Sequence, residues 1–304
     1  MSLLALLLVS ASCFLHVGWN LFGKKVSPTP AFFTLAYCIG TLVLLPLIAP
    51  TLGLLASMPP AFWLLLGLSA TCQACYSWSL AGAYASGDIS HTYPLARALP
   101  VLMVALASFW LYPAAQLSVA EMLGMLVVVA GALLLPMQHL RDFRLNLYLN
   151  RASGWAVAAA LATTGYSLLD ASAIHLMRAS VTAGSDLSLA LLYIWLQGAG
   201  SLLVLLPLQL CRRELRASLF SVGRANWKMA GLSGCMMLLT YALVLWAMQY
   251  ADNVSYVVAF RQLSIPLGVF VGIWLLGERS TRMKWGGTLL ILMGLVLLAL
   301  NRGI

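Results

Sequence analysis

Long apolar stretches, broken only by short polar dividers, run the whole length of this chain, and any fold must give each of them apolar surroundings. A helix that crosses the hydrocarbon core of a bilayer takes about 20 mostly apolar residues. Stretches of that kind fall at 3–22, 31–49, 60–86, 89–111, 118–136, 153–177, 187–209, 227–250, 253–276 and 283–301. The dividers are turn formers and cations: Lys24-Lys25 with Pro28 and Pro30, Pro59-Pro60, Pro113, the segment from Arg141 to Arg151, and that from Arg212 to Arg224. The pattern predicts an all-α integral membrane protein of ten transmembrane helices. Only 8% of the 304 residues are charged and 62% are hydrophobic, whereas a soluble domain carries about 25% charged residues. The first stretch lacks a basic leader segment and an Ala-x-Ala site, so it reads as a transmembrane helix rather than a secretory signal.

Seventeen Lys and Arg against eight Asp and Glu give a net charge of +9. In a soluble protein that balance would suggest nucleic acid; here it is the excess of cations that cytoplasmic loops carry. Setting aside the intramembrane Arg97 and Arg261, 13 basic residues lie beyond stretches 1, 5, 7 and 9, and only Arg178 and Arg302 lie on the other side. Both termini are therefore expected outside the cytoplasm, in a multi-pass protein of the bacterial inner (plasma) membrane. The six cysteines sit mostly in apolar runs, where they pack as small hydrophobes.

The two groups of five stretches resemble each other. Placing Arg97 on Arg261 also places Asp88 on Asp252, and a slip of one residue puts Gly124 on Gly287 and Gly131 on Gly294. Another offset sets Gly18-Trp19-Asn20-Leu21 on Gly165-Tyr166-Ser167-Leu168. Five is odd, so the second copy must enter the membrane from the opposite side. The expected organisation is a first five-helix repeat at 1–138, a basic connecting loop at 139–152 and an inverted second repeat at 153–304. Secondary transporters use such repeats to build a midplane site between two halves.

Local motifs point the same way. The segment Leu15-His16-Val17-Gly18-Trp19-Asn20-Leu21-Phe22-Gly23-Lys24 resembles the first helix of EamA-like members of the drug/metabolite transporter superfamily, and Gly87-Asp88-Ile89-Ser90-His91-Thr92-Tyr93-Pro94-Leu95-Ala96-Arg97 is similar to another of their segments. Gly165-Tyr166-Ser167-Leu168-Leu169-Asp170, and Leu276-Gly277-Glu278 before the glycine-rich last stretch, fit the pattern in the second half. The resemblance covers essentially the whole chain. It implies a ten-helix carrier that moves a small metabolite or drug by alternating access, through a cavity lined largely by helices 1, 3, 4, 6, 8 and 9. The chain departs from the pattern with Tyr112-Pro113-Ala114 where the second half has Leu276-Gly277-Glu278. Cytoplasmic termini are common in the family, against the loop count here.

Arg97 and Arg261 each lie nine residues after an aspartate that heads its stretch, Asp88 and Asp252. At 1.5 Å per residue both are rooted about 13 Å into a core of about 30 Å. An arginine at that depth costs at least ~2.5–3.5 kcal/mol unless it meets a wet cavity or a polar partner. Each is a candidate anion-binding residue, or a cap for carbonyls freed near Pro94, Pro100 or Pro266. Asp170 is the one acid well inside a stretch, since Asp88 and Asp252 read as N-caps and Ser118-Val119-Ala120-Glu121 as a capping box. It is expected to carry a coupling proton, to meet a substrate amine, or to pair with Arg97 or Arg261. His16, Trp19 and Asn20 share a polar stripe with Ser12, and Thr163, Tyr166, Ser167 and Asp170 repeat it. Tyr76, Tyr93, Tyr166 and Tyr241 join Trp19 as candidate aromatic walls. His16 is a second candidate for proton coupling. Cys72-x-x-Cys75 lacks the paired spacing of a zinc site, so neither metal nor cofactor is expected. Gly268-x-x-x-Gly272 reads as a close-packing motif, within the chain or at a dimer face.

The function expected is secondary transport of a small polar solute, anionic or zwitterionic and amino-acid-like, by a monomer or homodimer. No Walker motif is present to hydrolyse ATP. A translocase for a lipid headgroup or lipid-linked sugar is the alternative of the same fold. A membrane-embedded lipid enzyme is disfavoured, because no His-Glu-x-x-His, paired intramembrane aspartates or Gly-x-Ser-x-Gly occurs.

Overall fold

In the computed structural model the described residues are 2–25, 29–86, 89–111, 117–135, 137–139, 150–181, 184–277 and 279–300. They are all-helical, without a strand among them. The helices are α1 (Leu3–Lys25), α2 (Pro30–Ile48), α3 (Pro60–Ser86), α4 (Ile89–Leu111), α5 (Val119–Leu134), α6 (Arg151–Ser180), α7 (Asp186–Cys211), α8 (Arg213–Met248), α9 (Val254–Phe260), α10 (Ser264–Leu276) and α11 (Arg282–Leu300). Six helical segments are long and apolar enough to cross a membrane by length and composition. Large apolar side chains point outward from them, with Leu203 and Trp274 each 78% exposed. Such a surface suits lipid and not water.

Local chemistry sets most helix ends. Thr29 caps α2 by accepting from the Phe32 N–H, and Pro30 follows at the first helical position, where its missing N–H costs nothing. Ser118 and Glu121 form the expected capping box on α5, the carboxylate accepting from the Ser118 N–H at 2.6 Å. Asn150 and Ser185 cap α6 and α7. The cap of α9 is Asn253, which accepts from the Ser255 N–H, one residue beyond the expected Asp252. Asp88, Glu278, the triplet Tyr112-Pro113-Ala114 and most of the connecting segment lie outside the described residues.

Two elements differ from the sequence reading. Arg212 to Arg224 is not a loop: from Arg213 on the chain is helical and continues through a kink at Asn226 (φ −134°) into the rest of α8. Leu, Arg, Ala and Glu in that segment are good helix formers, so its cations mark a surface rather than a break. The stretch at 253–276 is not continuous either. Arg261–Leu263 form a 3-10 turn between α9 and α10. Pro266 has no N–H to give the Gln262 carbonyl, which removes one α-helical bond at that point.

Packing interleaves the halves of the chain. α1 and α2 lie on α8, α6 lies on α3 and α4, and α5 lies on α11. Glycines let several of these pairs approach closely. A Cβ on Gly234 would stand 2.0 Å from the Ala36 carbonyl oxygen, so α8 and α2 touch backbone to backbone. On α5 and α11, Gly131 faces Gly287 and Gly124 faces Gly294. Gly18 of α1 receives Met236 of α8, as Gly165 of α6 receives Cys72 of α3. Gly268 differs, since a side chain there would meet no other part of the chain within 4 Å.

Candidate functional site

The break in the α9–α10 segment places Arg261 in a 3-10 turn, where the Ser264 N–H serves its carbonyl in place of an α-helical donor. The Arg261 carbonyl accepts from Nη2 of Arg97 at 3.3 Å, from the Ser264 hydroxyl at 2.8 Å and from the Cys13 thiol at 3.5 Å. Nη2 of Arg97 also donates to the Ser264 hydroxyl at 2.5 Å. Arg97 thus caps a carbonyl at the break before Pro266, one of the two roles its depth suggested.

Both guanidinium-bearing residues line one cavity, with Tyr76, Thr163, Tyr166 and Gln262. An adjoining cavity shares Tyr76, Tyr166 and Arg261, and adds His16, Trp19, Tyr37, Gln73, Thr240 and Tyr241. Among the described residues no Asp or Glu lines either one. The tyrosines form a ladder from α3 through α6 to α8. Tyr76 meets Tyr166 edge-on at 5.8 Å and Tyr166 meets Tyr241 at 5.5 Å. The Arg261 guanidinium stands over the Tyr241 ring, 5.2 Å from its centroid, a cation–π distance. Trp19 Nε1 donates to His16 Nδ1 at 3.3 Å and their rings meet edge-on, one helical turn apart.

Asp170 lies apart from this space. It is fully buried and lines neither cavity. Oδ1 accepts from the Tyr193 hydroxyl at 2.7 Å and from the Ser69 hydroxyl, and Oδ2 from the Tyr241 hydroxyl at 2.6 Å. Gln197 Nε2 reaches both oxygens, at 3.0 and 2.8 Å. Neutral donors from α3, α7 and α8 therefore satisfy the carboxylate, in place of an arginine.

Of the residues singled out by sequence, the structure gathers Arg97, Arg261, His16, Trp19, Tyr76, Tyr166 and Tyr241 around the two cavities. The side chains of Asn20 and Tyr93 lie outside the described residues. Sequence reasoning missed Tyr37, Ser69, Gln73, Tyr193, Gln197, Thr240 and Gln262. The glutamines carried a signal: an amide inside an apolar stretch needs partners as a charge does. Cys72 is half-buried and Cys75 exposed. Among the described residues no group of three His, Cys, Asp or Glu side chains is placed to hold a metal ion.

At the ends of α6, α7 and α8 a separate polar cluster ties the helices together. Arg178 pairs with Asp186 at 3.1 Å, and the Tyr250 hydroxyl donates to the same carboxylate. That hydrogen bond to a carboxylate is the main cause raising the Tyr250 phenol above its ordinary value.

No family model matches the chain, and no curated protein matches it. A solved structure described only as "Crystal structure of protein" superposes with a TM-score of 0.66 at 14% identity, covering 98% of this chain and 96% of its own. At that identity the likeness is one of fold, and it extends over essentially the full length of both chains.

Proposed function

We propose that this chain is a secondary carrier of small organic anions, built as ten transmembrane spans in two inverted repeats of the EamA-like, drug/metabolite transporter kind. The observation that carries the reading is the meeting of Arg97 and Arg261 at one cavity whose lining, among the described residues, holds no carboxylate. Arg97 caps a carbonyl there and Arg261 stacks on Tyr241, and a guanidinium carries five N–H donors in the fork that also binds a carboxylate or phosphate. The broken α9–α10 segment beside it is the kind of discontinuous helix on which transporters build midplane sites.

The glycine contacts support the repeat. Equating Gly124 with Gly287 and Gly131 with Gly294 turns the contact of Gly124 with Gly294 into that of Gly131 with Gly287, as a two-fold relation requires. The packing of α1 on α8 and of α6 on α3 is exchanged by the same relation.

A proton or substrate gradient drives the cycle, with Asp170 and His16 as the groups available to carry a coupling proton. Reconstitution in proteoliposomes tests the assignment. Arg97→Ala and Arg261→Ala are expected to abolish uptake of an anionic substrate, and Asp170→Asn to uncouple uptake from a pH gradient. Arginine variants that transport every anion as well as the parent would refute the site.

A further inference from the structure

Four buried polar atoms in the two cavities have no hydrogen-bond partner: Oε1 of Gln262 and Oγ1 of Thr163 in the first, Oε1 of Gln73 and Oγ1 of Thr240 in the second. All four residues are at least nine-tenths buried. A buried polar group left without a partner is costly, and these four, unlike the unpartnered atoms elsewhere in the chain, belong to residues that line a cavity, where a bound molecule can serve them. The Gln262 amide is fixed in orientation, since Nε2 donates to the Val258 carbonyl at 3.2 Å and leaves Oε1 as an acceptor only. Gln73 meets the Tyr37 hydroxyl, which can give or take the bond, so its amide offers the cavity either an acceptor or a donor.

The chemistry these atoms can recognise is specific. Acceptor oxygens need donors, and the two threonine hydroxyls take or give one each. The donors must be neutral. An ammonium in the second cavity would share it with the Arg261 guanidinium and, among the described residues, would find no carboxylate on its walls, while Asp170, satisfied by Ser69, Tyr193, Gln197 and Tyr241, lines neither cavity. A like charge beside that guanidinium is disfavoured and has no compensating partner among the described residues of the lining.

Resting on the anion-carrier reading above, we infer that the cargo is a hydroxylated organic acid of the sugar-acid type and not a zwitterion. Its carboxylate is held by Arg97 and Arg261, one of its hydroxyls donates to Gln262 Oε1 and another pairs with the Gln73 amide. This narrows the two charge types that the sequence left open to one.

Four six-carbon probes test it by titration calorimetry on the purified full chain: gluconate, hexanoate, sorbitol and glucosaminate, the last carrying an ammonium in place of one hydroxyl. Gluconate is expected to bind about ten-fold or more tightly than hexanoate or glucosaminate, the effect of one to two neutral hydrogen bonds; sorbitol is expected not to bind. Gln73→Leu should lower the gluconate-to-hexanoate affinity ratio about ten-fold, and Gln73→Glu should move preference towards glucosaminate by supplying the missing carboxylate. Hexanoate or glucosaminate binding as tightly as gluconate, in a manner that Arg261→Ala abolishes, overturns this inference and leaves the carrier reading standing. Anion binding that ignores both arginines, or no anion binding at all, overturns both. The four probes on the parent chain decide the matter even where a glutamine variant does not fold.

Discussion

Tyr241 donates its hydroxyl to Oδ2 of Asp170 across 2.6 Å, and the face of its ring carries the Arg261 guanidinium at 5.2 Å. One side chain therefore joins the sealed carboxylate to the cavity cation without letting them meet. Tyr241→Phe keeps the ring and removes the hydrogen bond. Because Ser69, Tyr193 and Gln197 still serve Asp170, the expected loss is about 1 kcal/mol, read as a lower midpoint in thermal unfolding, with anion affinity largely kept. Tyr241→Leu removes the cation–π contact as well and should weaken anion binding. Equal affinities in the two variants would show that the ring does not position Arg261.

Backbone contact between α2 and α8 gives a second prediction. A Cβ at Gly234 would lie 2.0 Å from a carbonyl oxygen of Ala36, whereas one at Gly67 would meet nothing within 4 Å. Gly234→Ala should destabilise by about 1–3 kcal/mol through overpacking. Gly67→Ala, on the exposed face of α3, should be neutral or gain up to about 1 kcal/mol from helix propensity. The two variants, melted side by side in one detergent, should move in opposite directions or differ by several degrees; equal midpoints would contradict the packing.

The cluster of Arg178, Asp186 and Tyr250 predicts an alkaline limit. Since the Tyr250 phenol is raised above its ordinary value by donating to Asp186, its contribution is complete below the ordinary tyrosine range and disappears as pH rises through the raised value. Stability measured from pH 8 to 12 should fall less steeply in Tyr250→Phe than in the parent. The Arg178 side chain is 46% exposed, so Arg178→Ala should cost under about 1 kcal/mol at neutral pH. A parent and Tyr250→Phe variant with parallel pH curves would count against the linkage.

Topology is predicted from cations alone. With 13 basic residues on one side of the expected spans and two on the other, a reporter fused after Ile304 should be active only outside the cytoplasm. Cytoplasmic activity of that fusion would reverse the orientation and leave the helix packing untouched.

What the sequence made legible was local or periodic. Ser118 and Glu121 announced a capping box because both its bonds span three residues. Arg97 and Arg261 stood out because a charge in an apolar stretch has few explanations. The partners of Asp170 were hidden: Ser69, Tyr193 and Gln197 come from helices 101, 23 and 27 residues away along the chain, and no spacing encodes such a meeting. The surface portion of α8 was concealed by its own cations, which mark a membrane boundary and a loop equally well. Asn253 replaced Asp252 as a cap because either side chain suits the role and the helix starts one residue later.

The contact of α5 with α11 has a mechanical consequence. Where Gly131 and Gly287 bring two backbones together, each carbonyl stands within 2.6 Å of the place a methyl group would occupy on the other helix. Neither helix can turn about its axis or slide along its partner without driving larger neighbours such as Val128 or Ile291 into that gap. The pair behaves as a keel. In the carrier proposed above, rocking would fall to the helices that surround Arg97 and Arg261, with α5 and α11 moving as one body.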